Sequence, residues 1–419
     1  MRYNRVENKR MKTLKNYIVE QKNTHMTHVE DLVFDGGVDG TRQAIKFLQD
    51  LRDMLAGNSK TKITATVKWD GAPAVFAGID PTDKKFFVAK KGVFNKNPIV
   101  YKTNAQIDAD TTGDLAAKLK VALAEFKKLG IKSGVYQGDL MFTDDKKIVT
   151  IDGQKYVTFH PNTIVYAVPV GTELANKIIK AKIGVVWHTT YTGTTFESMT
   201  ASFGKSIVSK MTPSASVWMD DANYKDYSGT ATFTQEQTKE LTAILSQAGT
   251  MFSSIPAVTL NAIKDNEDLN MAVNTYNNSK VRAGEQITDT HAHVVGLFNY
   301  IHDKYQGEID KLKTEKGKAG KEEKRKAVLS FFATHDKAEI VKIFDLVNLL
   351  AKAKLMIITK MNEAGHISTF LRTTDGYKVT GVEGFVAIDH LTGGAVKIVD
   401  RLEFSKSNFS ADIIKGWQR

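Results

Sequence analysis

The chain has 419 residues, 42% of them hydrophobic, enough to build two or three domains with cores of their own. It contains no cysteine, which excludes disulfides, a thiol nucleophile and any zinc site built on thiolates. A net charge of +11 favours a polyanion such as nucleic acid over a small metabolite, without separating DNA from RNA.

The N-terminus is basic and polar, unlike a signal peptide, and no run of about 18 apolar residues is present, so a cytoplasmic protein with no membrane partner is expected. Within a helical segment expected over residues 1–60, "DGTRQAIKFLQDLRDMLAGN" places Ala44, Phe47, Leu48, Leu51 and Leu55 at helical spacing. Asp39 is its expected N-cap and Gly57 its stop, and "MTHVEDLVFDGG" reads as a lead-in.

Strands dominate residues 61–195, in "KITATVKW", "AVFAGI", "KKFFVAKKGVF", "GVYQGDLMF", "KIVTI", "NTIVYAVPV" and "KIGVVWHTTY". Helices are expected only at Asp114 to Leu129 and Glu173 to Lys180, so the pattern predicts an antiparallel α+β arrangement. Residues 196–372 read as a helical insertion, with helices at Gln235 to Met251, His291 to Lys316, Lys321 to Thr334 and Lys337 to Glu363. Nine basic and five acidic residues between Lys304 and Lys326 make either a phosphate-binding face or a solvated hairpin. Strands return over residues 373–419, in "YKVTGVEGFVAID" and "AVKIVDRLEF". "DTHAH" opens a helix, where residues two apart diverge, so a metal site there is not expected. His188 reads as a core histidine, and neither a Walker loop nor a Rossmann fingerprint is present.

The stretch "TVKWDGAPAVFAG" carries the chemistry. Ile63, Ala65 and Val67 alternate with Thr64, Thr66 and Lys68, the period of a half-buried strand, and Gly71 allows a turn and close approach of a ligand. Its Lys-x-Asp-Gly resembles the nucleophile motif of the covalent nucleotidyltransferases, which comprise ATP-dependent DNA ligases, RNA ligases and capping enzymes. Further motifs resemble that family in the expected order. Lys91 precedes Gly92 where many relatives have arginine, and "GDL" places Asp139 where glutamate is usual. An aromatic residue that stacks on the purine is expected next; Trp187 is preferred over Tyr166. "GVEGFVAID" supplies Glu383, and "AVKIVDRLEF" supplies Lys397, with Val399 at the second lysine position and Arg401 as a possible compensation.

The resemblance implies an antiparallel-sheet nucleotidyltransferase domain, ATP-grasp-like, carrying the helical insertion. It implies that Lys68 takes AMP from ATP with Mg²⁺ and passes it to DNA or RNA strand ends, whose 5′-phosphate is then sealed to a 3′-hydroxyl. Asp70, Gly71, Lys91, Trp187 and Lys397 would bind the nucleotide, and Asp139 and Glu383 would hold the metal. A nucleophilic lysine must shed its proton, which neighbouring cations and desolvation favour. With only Glu403 to Arg419 after the last motif there is no room for the usual oligonucleotide-binding barrel, so the chain is most similar to phage-type RNA ligases. A monomer in the host cytoplasm is expected. A capping-type guanylyltransferase and a non-catalytic nucleic-acid-binding phage protein are the alternatives.

Overall fold

The computed structural model describes residues 26–57, 63–225, 231–365, 367–389 and 394–418; the expected helical segment before residue 26 lies outside them. A 3₁₀ turn, Val29–Asp31, leads into helix α1, Leu32–Leu55, which breaks at Gly37 (φ 56°) and resumes. The break falls two residues before the expected Asp39 cap, and the Val38 N–H donates to Asn261 Oδ1 at 3.1 Å, so the second helical stretch begins close to the expected start. The lead-in is helical as well, its Val33 and Phe34 sharing the core of Ala44, Phe47 and Leu48.

Fourteen strands follow among the described residues: β1 Ile63–Lys68, β2 Ala74–Ile79, β3 Phe86–Ala89, β4 Val135–Phe142, β5 Lys147–Ile151, β6 Gln154–Phe159, β7 Ile164–Pro169, β8 Ile183–Thr192, β9 Thr200–Phe203, β10 Val217–Asp221, β11 Ser368–Thr373, β12 Gly376–Val379, β13 Gly384–Asp389 and β14 Ala395–Ile398. They form three sheets, ordered β1-β13-β14, β10-β8-β4-β2-β3 with β9 beside β8, and β12-β11-β7-β6-β5. The fold is α+β with antiparallel sheets; among the described strands only β8 and β10 run parallel. The helices between strands are α2, Asn104–Asp110, α3, Gly113–Phe126, and α4, Glu173–Lys180. The apolar face of α3 covers β4 and β8 through Leu119, Ala122 and Phe126.

The helical part is α5 Gln235–Ser253, α6 Ala257–Asp265, α7 Glu267–Arg282, α8 Thr290–Asp310, α9 Glu315–Thr334 and α10 Lys337–Asn362. It is shorter than the expected 196–372, because β9 and β10 extend the second sheet and β11 pairs with β7. Nor is it separate from the N-terminal helix. Residues of α1 and of α5 to α10 share one core with Ile63, Ala65, Phe385, Ala387, Val396 and Ile398, one face of the β1-β13-β14 sheet. At about 2 kcal/mol per fully buried large side chain, this shared core binds the layer to the sheet. Downstream of β14 the expected strand ends early. The Asp400 carboxylate accepts the Leu402 and Glu403 N–H groups at 3.0 and 3.1 Å and starts helix α11, Arg401–Phe409.

No single helix among the described residues is long and apolar enough to cross a membrane; the bent pair α5 and α6 passes by length and composition together, and Leu241, Ile244, Leu245, Leu260 and Ile263 of that pair lie in the shared core.

Candidate functional site: a lysine between carboxylates

Strand parity sets the site. Ile63 and Ala65 face the helical layer with Val67 packed against it, so Lys68 projects from the other face of β1. The antiparallel register pairs Lys68 with Gly384, and the Lys68 ammonium forms an ion pair with Glu383 just before β13. Gly384 has φ 147°, and a Cβ there would stand 2.6 Å from Val399 Cγ2; glycine lets β13 begin directly behind Glu383. The Lys68 side chain is 30% exposed and the Glu383 side chain 9%. Burial, opposed by Lys68, pushes the Glu383 carboxyl up to about 7.

A second carboxylate arrives from β4. A Cβ on Gly71 would lie 2.5 Å from Asp139 Cβ, so the turn after Lys68 packs against Asp139 with no space for a side chain. Burial raises the Asp139 carboxyl to about 7, against the charges of Lys68 and Lys91. Lys91 lies exposed in the 3₁₀ turn Lys91–Phe94 after β3. Lys397 on β14 pairs with Val386, and its N–H donates to Thr27 O at 2.9 Å. Burial lowers its ammonium pKa, and Lys68 lowers it further. Lysines from β1 and β14 thus lie close to acids from β4 and from the residue before β13, with Lys91 acting on Asp139 by its charge.

The remaining expected site residues are placed differently. Both oxygens of buried Asp70 are occupied: Oδ1 accepts from Asn162 Nδ2 at 2.6 Å, and Oδ2 from the Thr163 and Ile164 N–H groups at 2.6 and 2.8 Å. Burial nonetheless raises its pKa. In this arrangement Asp70 anchors the chain entering β7. Trp187 is not brought to the cluster. Asp139 pairs with Val186 across β4 and β8, so Trp187 takes the opposite face and packs on Phe126 with ring centroids 5.3 Å apart. Tyr166 is buried as well, and its hydroxyl accepts the Asp70 N–H at 2.7 Å. Val399 is buried, and Arg401 turns to Asp31 and Asn278 instead of Lys68.

Sequence reading took His188 for a core histidine. Following Trp187, it returns to the Asp139 face, with Nε2 3.9 Å from Asp139 Oδ2 and a side chain 25% exposed. Burial, then Lys68, lowers its pKa to about 4, so it sits neutral beside the acids. Alternation along β8 was the available signal, once Asp139 had been assigned to a face. Phe404 was also missed; its ring lies 5.9 Å from Lys68 Nζ, placed by the unforeseen helix α11.

The basic run is partly internal. Lys321 pairs with Glu308 at 2.5 Å, and Arg325 with Gln306 at 2.7 Å, bracing α9 on α8, while Lys324 and Lys326 are exposed. In "DTHAH", Asp289 caps α8 by accepting the Ala292 N–H at 2.9 Å, and buried His293 meets Asn277 at 2.8 Å.

Among the described residues no three His, Asp or Glu side chains converge as metal ligands. Asp139 and Glu383 give two hard oxygen donors, the number Mg²⁺ commonly takes from a protein when phosphate oxygens and water complete its octahedron. The donor set therefore fits a phosphate-bound magnesium and not a metal caged by protein alone.

Fold and cleft together define an α+β protein with a lysine–carboxylate site. Residues 23–413 match the model of a family of unknown function (DUF6267), and the chain belongs to that family. Comparison with curated proteins and with solved structures returns no match.

Proposed function

We propose that the protein is an ATP-dependent polynucleotide ligase of the covalent nucleotidyltransferase type, with Lys68 as nucleophile. The observation that carries this reading is the ion pair of Lys68 with Glu383, with Asp139 and Lys397 near enough to act on the same charges, from sequence segments that resemble the family's motifs. The Lys68 amine forms a bond to the α-phosphorus of ATP as the bond to the β-phosphate oxygen breaks and pyrophosphate leaves. Glu383, in contact with the amine and titrating near neutrality, receives the proton. A 5′-phosphate oxygen of the polynucleotide then displaces Lys68 from AMP, and a 3′-hydroxyl displaces AMP. In this reading Lys397 and Lys91 stabilise phosphate charge during these steps. Asp139 and Glu383 would hold Mg²⁺, which would supply further neutralisation of that charge.

Incubation with ATP or GTP labelled at the α-phosphate, with Mg²⁺, tests the reading. Covalent label from ATP that vanishes in Lys68→Ala and transfers to a 5′-phosphorylated strand supports it. Label from GTP alone would make the protein a capping-type guanylyltransferase, and no label from either would remove the covalent mechanism.

A further inference from the structure

A second cavity lies behind the lysine strand. Val67, which lines it, faces away from Lys68 by strand parity, and the space, an enclosed part of about 60 Å³ that opens to solvent, lies between β1, β7, the segment after β10 and the end of α10. One wall is aromatic: Trp69 and Tyr166 stack with centroids 5.1 Å apart and 30° between planes. The Trp69 indole nitrogen is buried and donates to nothing. The carboxamides of Asn223 and Asn362, both lining the cavity, make no hydrogen bond among the described residues. Asp220 and Lys225 stand together nearby, 3.8 Å apart.

A buried donor without an acceptor is costly, and natural structures seldom keep one without a purpose. An aliphatic ligand would leave the indole N–H and both carboxamides unmet. A metal would meet the Lys225 ammonium, and of the two acids in the lining Asp221 is already taken up by Ser206, Ile207 and Val208. A flat ring with alternating donors and acceptors along its edge satisfies the whole set: the aromatic wall gives it a face, the indole N–H meets a ring nitrogen or carbonyl, and carboxamides pair with amino and imino edges.

We infer that this cavity is a second, non-catalytic site that takes a nucleobase, distinct from the nucleotide that would react at Lys68. The base can belong to a free nucleotide or to an unpaired residue of a polynucleotide; the chemistry of recognition is the same.

The test uses nucleosides, which carry no phosphate and cannot react at Lys68. Adenosine and guanosine are titrated into the full chain by ligand-observed NMR, with wild type, Trp69→Phe, Asn362→Ala and Lys68→Ala. At least one nucleoside is expected to bind wild type and Lys68→Ala alike, and about tenfold more weakly to Trp69→Phe and Asn362→Ala, as befits one lost hydrogen bond in each. Displacement by an unphosphorylated oligonucleotide assigns the base to a strand, and displacement by a mononucleotide alone assigns it to a free nucleotide. Absence of binding by either nucleoside overturns the inference, as does binding lost in Lys68→Ala yet kept in both other variants. Melting temperature checks that Trp69→Phe folds; Asn362 is exposed, so Asn362→Ala carries the test if it does not. Either result leaves the covalent reading standing, because that reading is scored by label on Lys68.

Discussion

Two charged clusters sit close to the same three-stranded sheet, and they are built to opposite ends. In one, Lys354 of α10 meets Glu30 at 2.5 Å with side chains 3% and 4% exposed, and Arg401 holds Asp31 at 2.8 Å. Burial alone would raise the Glu30 carboxyl, but Lys354, His28 and Arg401 outweigh it and hold the group at about 2. In the other, Lys68 is 30% exposed, and Glu383 and Asp139 are pushed up to about 7. The first cluster spends its charge on internal pairs and joins the N-terminal turn, α10 and the start of α11. The second keeps exchangeable protons at neutral pH and an approach from solvent. Fixed pairing marks a joint, and acids held near neutrality mark a place where chemistry can occur.

The largest effect expected on this contrast is Lys68→Ala. Covalent labelling by ATP should fall to background while far-UV circular dichroism and melting temperature stay near wild type, since the side chain ends its strand and is partly solvated. Full labelling of this variant would reduce the second cluster to a mere ion pair. Next comes Glu383→Gln, which keeps shape and removes proton uptake; a label-transfer rate down about a hundredfold or more is expected in single-turnover assays. An unchanged rate would assign the proton elsewhere.

The joint is broken by Lys354→Ala, which strands Glu30 in the interior. Urea unfolding should show a loss of about 3–5 kcal/mol, with most of it recovered when Glu30→Gln is paired with Lys354→Met. A loss under about 1 kcal/mol would show that water reaches the pair.

A smaller effect separates the clusters by pH. Burial lowers His28 from 6.5 to about 3, so between those values the unfolded chain binds a proton that the folded chain refuses, and His28 costs stability as pH falls. Asp31, raised by burial to about 6, and Asp139 and Glu383, raised to about 7, act in the opposite sense, while His160, His188 and His293, each lowered to about 4, act in the same sense, so the His28 contribution is read from the difference between wild type and its variant. Between about pH 7 and 5 the urea midpoint of wild type should therefore fall more steeply, or rise less, than that of His28→Gln. Equal slopes would exclude His28 as the source. The smallest effect belongs to the braced hairpin, where Lys321→Glu should cost under about 1 kcal/mol, read as a slight drop in melting temperature. A large drop would make that exposed pair a second joint.

Much of this was legible in the chain, and the failures have particular causes. The alternation through Lys68 placed its strand, and the apolar stripe of Lys337 to Asn362 placed α10, because one period dominates each. Glu383 and Lys397 were found through motif order, not through any local pattern. Trp187 was expected in the cleft because its neighbours resembled an aromatic motif, but parity relative to Asp139 gives that face to His188. This could not be read without the β4–β8 register, which shifts between Gln137 and Gly138. Glu30 and Lys354 were invisible as partners, since nothing in a sequence marks which two charges will share a dry interior. Helix α11 was missed because Asp400 acts as a cap only once β14 has stopped at Ile398.

The pairing of β1 with β13 also orders events during synthesis. Lys68 emerges from the ribosome early, whereas Glu383 and Lys397 come after the whole helical layer. A chain stalled or truncated before Glu383 holds its lysine with neither Glu383 nor Lys397 beside it. Domains generally fold as units, and contacts between distant segments form slowly. The cluster is therefore assembled only once the chain extends past Lys397.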